Sequence, residues 1–134
     1  MLNSKLIKKI SFYLYLFVLA YLSLFIGTQN AENNIIHKLS ITDTGFVLHL
    51  VAYFIAAMLG TWVNYEKKLT IKLYVLSIIF IYSYALEILQ YFHPYRSFNF
   101  YHVLANGLGI VIFILIYQIF GLRVNRNLKN LVQN

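Results

Sequence analysis

The stretch Glu87-Ile88-Leu89-Gln90-Tyr91-Phe92-His93-Pro94-Tyr95-Arg96 closes one long apolar run and precedes another. It places an acid, an amide, an imidazole and a guanidinium at the edge of a segment long enough to cross a bilayer. The run before it, residues 70–92, spans the hydrocarbon with some tilt. Pro94 disfavours helical geometry at His93 and ends that helix. Glu87 then sits roughly 8 Å below the loop, at 1.5 Å rise per residue. A carboxylate costs about 2.5–3.5 kcal/mol at the membrane centre and less near the interface. It therefore needs a partner, a proton or water. Gln90, three residues on, lies on the same helical face.

Working outward, three more runs have the same character. Residues 10–27 carry no charge and follow a basic start with Lys5, Lys8 and Lys9. At ~27 Å the run approaches the hydrocarbon thickness. It is long for a signal peptide and no small-x-small cleavage site follows, so it is expected to remain as a first transmembrane helix. Residues 45–63 form the second span, with Trp62 at headgroup level. Residues 100–120 form the fourth. Residues 28–44 make a polar first loop with room for a short interfacial helix. The expected organisation is all-α: a basic segment over 1–9, a four-helix membrane domain over 10–120, and a basic tail over 121–134.

Composition agrees with this. The chain has 134 residues, of which 60% are hydrophobic and 11% charged. A soluble domain has roughly 25% charged residues. Without cysteine, disulfides, thiolate nucleophiles and thiolate metal sites are excluded. The net charge is +7, but the basic residues flank apolar runs, which points to lipid headgroups rather than nucleic acid. Nine of the eleven basic residues fall at the amino end, around 67–72 and in the tail; Lys38 and Arg96 fall on the other side. The positive-inside rule puts both termini in the cytoplasm, giving a multi-pass protein of a bacterial cytoplasmic membrane with outward loops around 37 and 96.

Several polar groups reach the level of Glu87. His49 lies about one turn into the second span, with Tyr53 a turn deeper. A histidine inside a span is a functional candidate by default, although an imidazole bonded between helices is the plain alternative. His102 lies near the start of the fourth span, with Asn106 a turn deeper on the same face. Asn99 is placed to cap that helix. Gly107 and Gly109 let another backbone approach. Arg96 suits a phosphate or carboxylate held bidentately, an ion pair with Glu87, or lipid phosphate. The catalytic candidates are Glu87, His49 and His102; the ligand-binding candidates are Arg96, Gln90 and Asn106. His49, Glu87 and His102 are acceptable metal ligands in type, but spacing across three helices does not establish a site. No metal and no cofactor is expected.

In order, these positions are His49, Glu87-x-x-Gln90, Pro94-x-Arg96 and Ala105-Asn106-x-x-Gly109. The set resembles the VanZ-like family, named for a small membrane protein associated with teicoplanin resistance, over about residues 11–120. The family pattern maps onto His49, Glu87, Gln90, Arg96, Asn106 and Gly109. Two positions depart from it. Gly45-Phe46 stands where the family often has Asp-Lys, and His102 stands where it usually has an aspartate. The resemblance implies a four-span fold and a link to glycopeptide tolerance.

The first functional expectation is an outward-facing site for a lipid-linked or amphiphilic envelope molecule bearing phosphate or carboxylate. The alternatives are an intramembrane enzyme acting on an envelope lipid with Glu87 as acid or base, and a structural membrane protein without a ligand. Four spans leave little room for a pore in a monomer, so transport would require a homo-oligomer. Orientation is directly testable, because single-cysteine labelling has no background here. An impermeant thiol reagent applied outside is expected to label Tyr95→Cys, and a reporter fused at either terminus is expected in the cytoplasm. The reverse pattern would move the polar level to the other leaflet.

Overall fold

The computed structural model describes residues 4–25, 44–92 and 98–132. These form α1 (Ser4–Phe25), α2 (Thr44–Val63), α3 (Leu69–Tyr91) and α4 (Phe100–Val132). Each contains a stretch long and apolar enough to cross a membrane. Over the described residues, the four spans expected from sequence match in place. Two helices run further than their apolar stretches: α1 begins at Ser4 rather than residue 10, and α4 continues past Phe120 to Val132. Lys, Leu and Arg are good helix formers, so a change from apolar to basic composition ends the hydrocarbon segment without ending the helix. The first loop and the stretch 93–97 lie outside the described residues, and with them fall Lys38, His93, Pro94 and Arg96.

The helix ends use the polar residues beside them. Asn99 accepts from the Tyr101 N–H at 2.9 Å, capping α4. Past α2, Asn64 Nδ2 donates to the Gly60 carbonyl at 2.9 Å and the Asn64 N–H to Thr61 at 3.1 Å. These bonds occupy carbonyls that the end of α2 leaves without intrahelical partners.

α2 and α3 each pack against all three other helices, and the most extensive pairing joins α2 to α4. Its cause is small side chains. Ala56 and Ala57 on α2 and Ala105 on α4 are fully buried. A methyl group at Gly109 would lie 2.2 Å from the Leu50 carbonyl oxygen and 3.0 Å from the Phe54 nitrogen. The two backbones are thus in direct contact, the close approach that small residues permit in membranes. Phe12, Tyr53, Leu76, Ile79, Ile110 and Phe113 fill the core beside them. α1 is joined by hydroxyl bonds to backbone: Tyr15 donates to the Ala52 carbonyl at 2.9 Å, and Tyr82 of α3 donates to the Leu16 carbonyl at 2.7 Å. The perimeter is apolar, with Phe17, Tyr74 and Ile81 among its exposed side chains, as a lipid-facing surface requires.

At one end, Lys5 pairs with Glu66 at 3.4 Å and Lys8 lies over the Trp62 ring at 5.2 Å. The start of α1 therefore sits beside the turn between α2 and α3, and the opposite end holds the starts of α2 and α4 and the end of α3.

Gly109→Ala is expected to destabilise the bundle by about 1–3 kcal/mol, the usual cost of overpacking. Gly107→Ala should cost less, because its methyl meets only the Phe80 ring, at 3.2 Å. Thermal unfolding of both variants in one detergent checks this; equal melting temperatures would argue against the α2–α4 contact.

Candidate functional site

Three helices bring one titratable group each to the same level. His49 comes from the second turn of α2, Glu87 from the last turns of α3, and His102 from the first turn of α4. Antiparallel neighbours place these positions at one end of the bundle. The ligand atoms of the three side chains all lie within 4.8 Å of one another. Glu87 Oε1 is 3.7 Å from His49 Nδ1 and 3.5 Å from His102 Nδ1. These are ion-pair distances if an imidazole is protonated, but too long for good hydrogen bonds. The two imidazoles are stacked, with centroids 4.2 Å apart and planes 20° from parallel. Tyr53, one turn deeper on α2, stacks against His49 at 6.5 Å.

Burial is uneven across the cluster. The Glu87 side chain is 1% exposed, while each imidazole is 20% exposed. The acid is thus covered by two rings that themselves reach the outside. Neither Glu87 oxygen has a hydrogen-bond partner among the described residues, nor does His102 Nδ1. Buried polar atoms are nearly always bonded. An orphaned carboxylate walled by two imidazoles has unused capacity for a proton, a water, a cation or a reacting group.

The remaining candidates separate. Asn106 joins the cluster: its Oδ1 lies 2.9 Å from His49 Nδ1, while its Nδ2 has no partner. Gly109, three residues on, sets the α2–α4 distance at which this contact forms. Gln90 is buried and turned toward α1, where its amide nitrogen donates to Ser23 Oγ at 2.5 Å. Arg96 falls outside the described residues.

Two residues at the site were not singled out from sequence. Ser23 is the partner of Gln90; an isolated serine near the end of an apolar helix was the available signal. Ser83 lies one turn before Glu87, is fully buried, and spends its hydroxyl on the Phe80 carbonyl at 2.8 Å. Its i, i+4 spacing from Glu87 was the cue.

Replacing Asn106 with alanine should remove the amide that meets His49 Nδ1 at 2.9 Å and lower stability by about 0.5–1.5 kcal/mol, the net worth of one hydrogen bond. Denaturation in detergent measures this. Stability equal to wild type would place the Asn106 amide away from His49.

Neither the curated proteins nor the solved structures gave a match to this chain. A family model described as VanZ/LLP1 matches residues 12–121 of the 134, a span holding all three members of the cluster together with Gln90, Asn106 and Gly109. The chain belongs to the VanZ/LLP1 family.

Proposed function

We propose that this protein is an intramembrane enzyme acting on a lipid of the cell envelope, with Glu87 as general acid and base. One observation carries the reading: the Glu87 carboxylate is buried, has no hydrogen-bond partner among the described residues, and faces two imidazoles at 3.5 and 3.7 Å. A carboxylate that served only to hold helices together would be bonded to them. Gln90 and Asn106, by contrast, are each engaged with another helix, which favours chemistry at Glu87 over a purely binding site.

The nucleophile is water. The chain has no cysteine, and the nearby Ser83 hydroxyl is already bonded to backbone. In hydrolysis of an ester or phosphoester, the water oxygen bonds to the carbonyl carbon or phosphorus while Glu87 takes its proton. The bond to the leaving oxygen breaks, and a protonated imidazole of His49 or His102 gives that oxygen a proton. Transfer of the proton from Glu87 to the now neutral imidazole, across the short gap between them, resets the site. His102 in place of the usual family aspartate gives Glu87 a proton partner rather than a second like charge.

The reading includes an orientation and a substrate class. Both termini are cytoplasmic, and the cluster opens to the outer leaflet of a bacterial cytoplasmic membrane. The distribution of basic residues supports this, as does the meeting of Lys5 and Lys8 with the α2–α3 turn at the opposite end. The substrate is an envelope lipid or lipid-linked precursor whose phosphate or carboxylate Arg96 anchors. Tolerance of teicoplanin-type glycopeptides is the cellular outcome proposed for such an activity.

Purified protein in vesicles of bacterial envelope lipids, followed by mass spectrometry of the lipids, tests the reading. Glu87→Gln should lower turnover by about 10²–10⁴-fold, with melting temperature nearly retained because shape and volume are kept. Turnover unchanged in Glu87→Gln would remove Glu87 from the chemistry, and absence of turnover in wild type would remove the enzyme.

A further inference from the structure

We infer that His49, His102 and Glu87 form a binding site for a divalent transition-metal ion of the zinc class. The inference deepens the reading of Glu87 as a reacting group and rests on it only for the role of the ion in turnover; with an ion bound both imidazoles would be neutral ligands, and the proton that Glu87 takes from water would itself pass to the leaving oxygen. The ion site itself stands on three features of the cluster.

The first is donor chemistry. Two imidazoles and one carboxylate are a ligand set that zinc accepts with a position left open. The second is spacing. Tetrahedral zinc with bonds of about 2.0–2.1 Å holds its ligand atoms roughly 3.3 Å apart. Glu87 Oε1 already lies 3.5 and 3.7 Å from the two Nδ1 atoms, and all three ligand atoms fall within 4.8 Å. The third is unmet bonding capacity. Both Glu87 oxygens and His102 Nδ1 are buried without hydrogen-bond partners among the described residues. A cation placed between them satisfies these acceptors together, which a single proton cannot do.

Without an ion, His49 Nδ1–H donates to Asn106 Oδ1 at 2.9 Å; to ligate, that nitrogen gives up its proton and exchanges the amide oxygen for the metal. Oε1 is the carboxylate atom facing both rings. Oε2 has no partner among the described residues and stays available for the proton of a water held by the ion. Glu87 can therefore ligate through one oxygen and act as base through the other. When bound, the ion would lower the pKa of that water and make it a better nucleophile.

The test uses the full chain in detergent, stripped with chelator and dialysed against Zn²⁺ or Co²⁺. Wild type should retain about one ion per chain by elemental mass spectrometry, melt at a higher temperature as Zn²⁺ increases, and show the visible absorption of four-coordinate Co²⁺. Glu87→Gln and His102→Asn should bind Zn²⁺ at least tenfold more weakly. His102→Asp, which keeps a ligand at that position, should still bind. Because Asn and Asp match in size, a difference between these two variants reports ligation rather than folding. Wild type that neither retains Zn²⁺ above the level of Glu87→Gln nor shifts its melting with Zn²⁺ would overturn the site. Zinc held by a protein that turns over no lipid would uphold the site and count against the enzyme. Turnover by a protein that takes up no zinc would do the opposite.

Discussion

The contact of Gly109 with the α2 backbone at Leu50 is the constraint on which the rest of the molecule depends. Lipid tails are as apolar as leucine, so burial of apolar side chains gives membrane helices little reason to associate. What remains is close packing and hydrogen bonding. At Gly109 the packing reaches its limit, backbone against backbone. That contact fixes how near α4 stands to α2, and so whether Asn106 reaches His49. Through His49 and His102 it also sets the gap across which Glu87 faces its two imidazoles.

The polar cluster and the packing are one design at two depths. Small residues on α2 and α4 bring the helices together, and the space they release near the end of the bundle is occupied by rings and a carboxylate. The rings cover the acid and remain partly exposed themselves. An acid so placed is protected from lipid yet reachable through groups that carry protons or bind ions. Gln90 and Ser23 close the α1 side of the same level with a direct hydrogen bond. The site is thus bounded by side chains from all four helices although its reacting groups come from three.

Depth in the bilayer was legible from sequence; rotation about each helix axis was not. Counting residues at 1.5 Å each put His49, Glu87 and His102 at one level. The faces of these helices are apolar nearly all round, so periodicity could not tell which side of α3 carries Gln90 toward α1 and which carries Glu87 toward α2 and α4. The Asn99 cap was legible because it follows from local chemistry alone. The extensions of α1 and α4 were not, because Lys and Arg at the water boundary stop an apolar run without stopping a helix. Ser23 escaped notice because a single hydroxyl in an apolar helix can also bond its own backbone, as Ser77 does to the Leu73 carbonyl.

The placement of the cluster across α2, α3 and α4 has a consequence for biosynthesis. Helices emerge from the ribosome in chain order, so α2, with His49, is available before α3 brings Glu87 into the bilayer. The acid therefore never enters lipid ahead of its first imidazole. His102 and Asn106 arrive last on α4, the helix that packs most extensively on α2. With α4 come the second imidazole and the amide that complete the cluster.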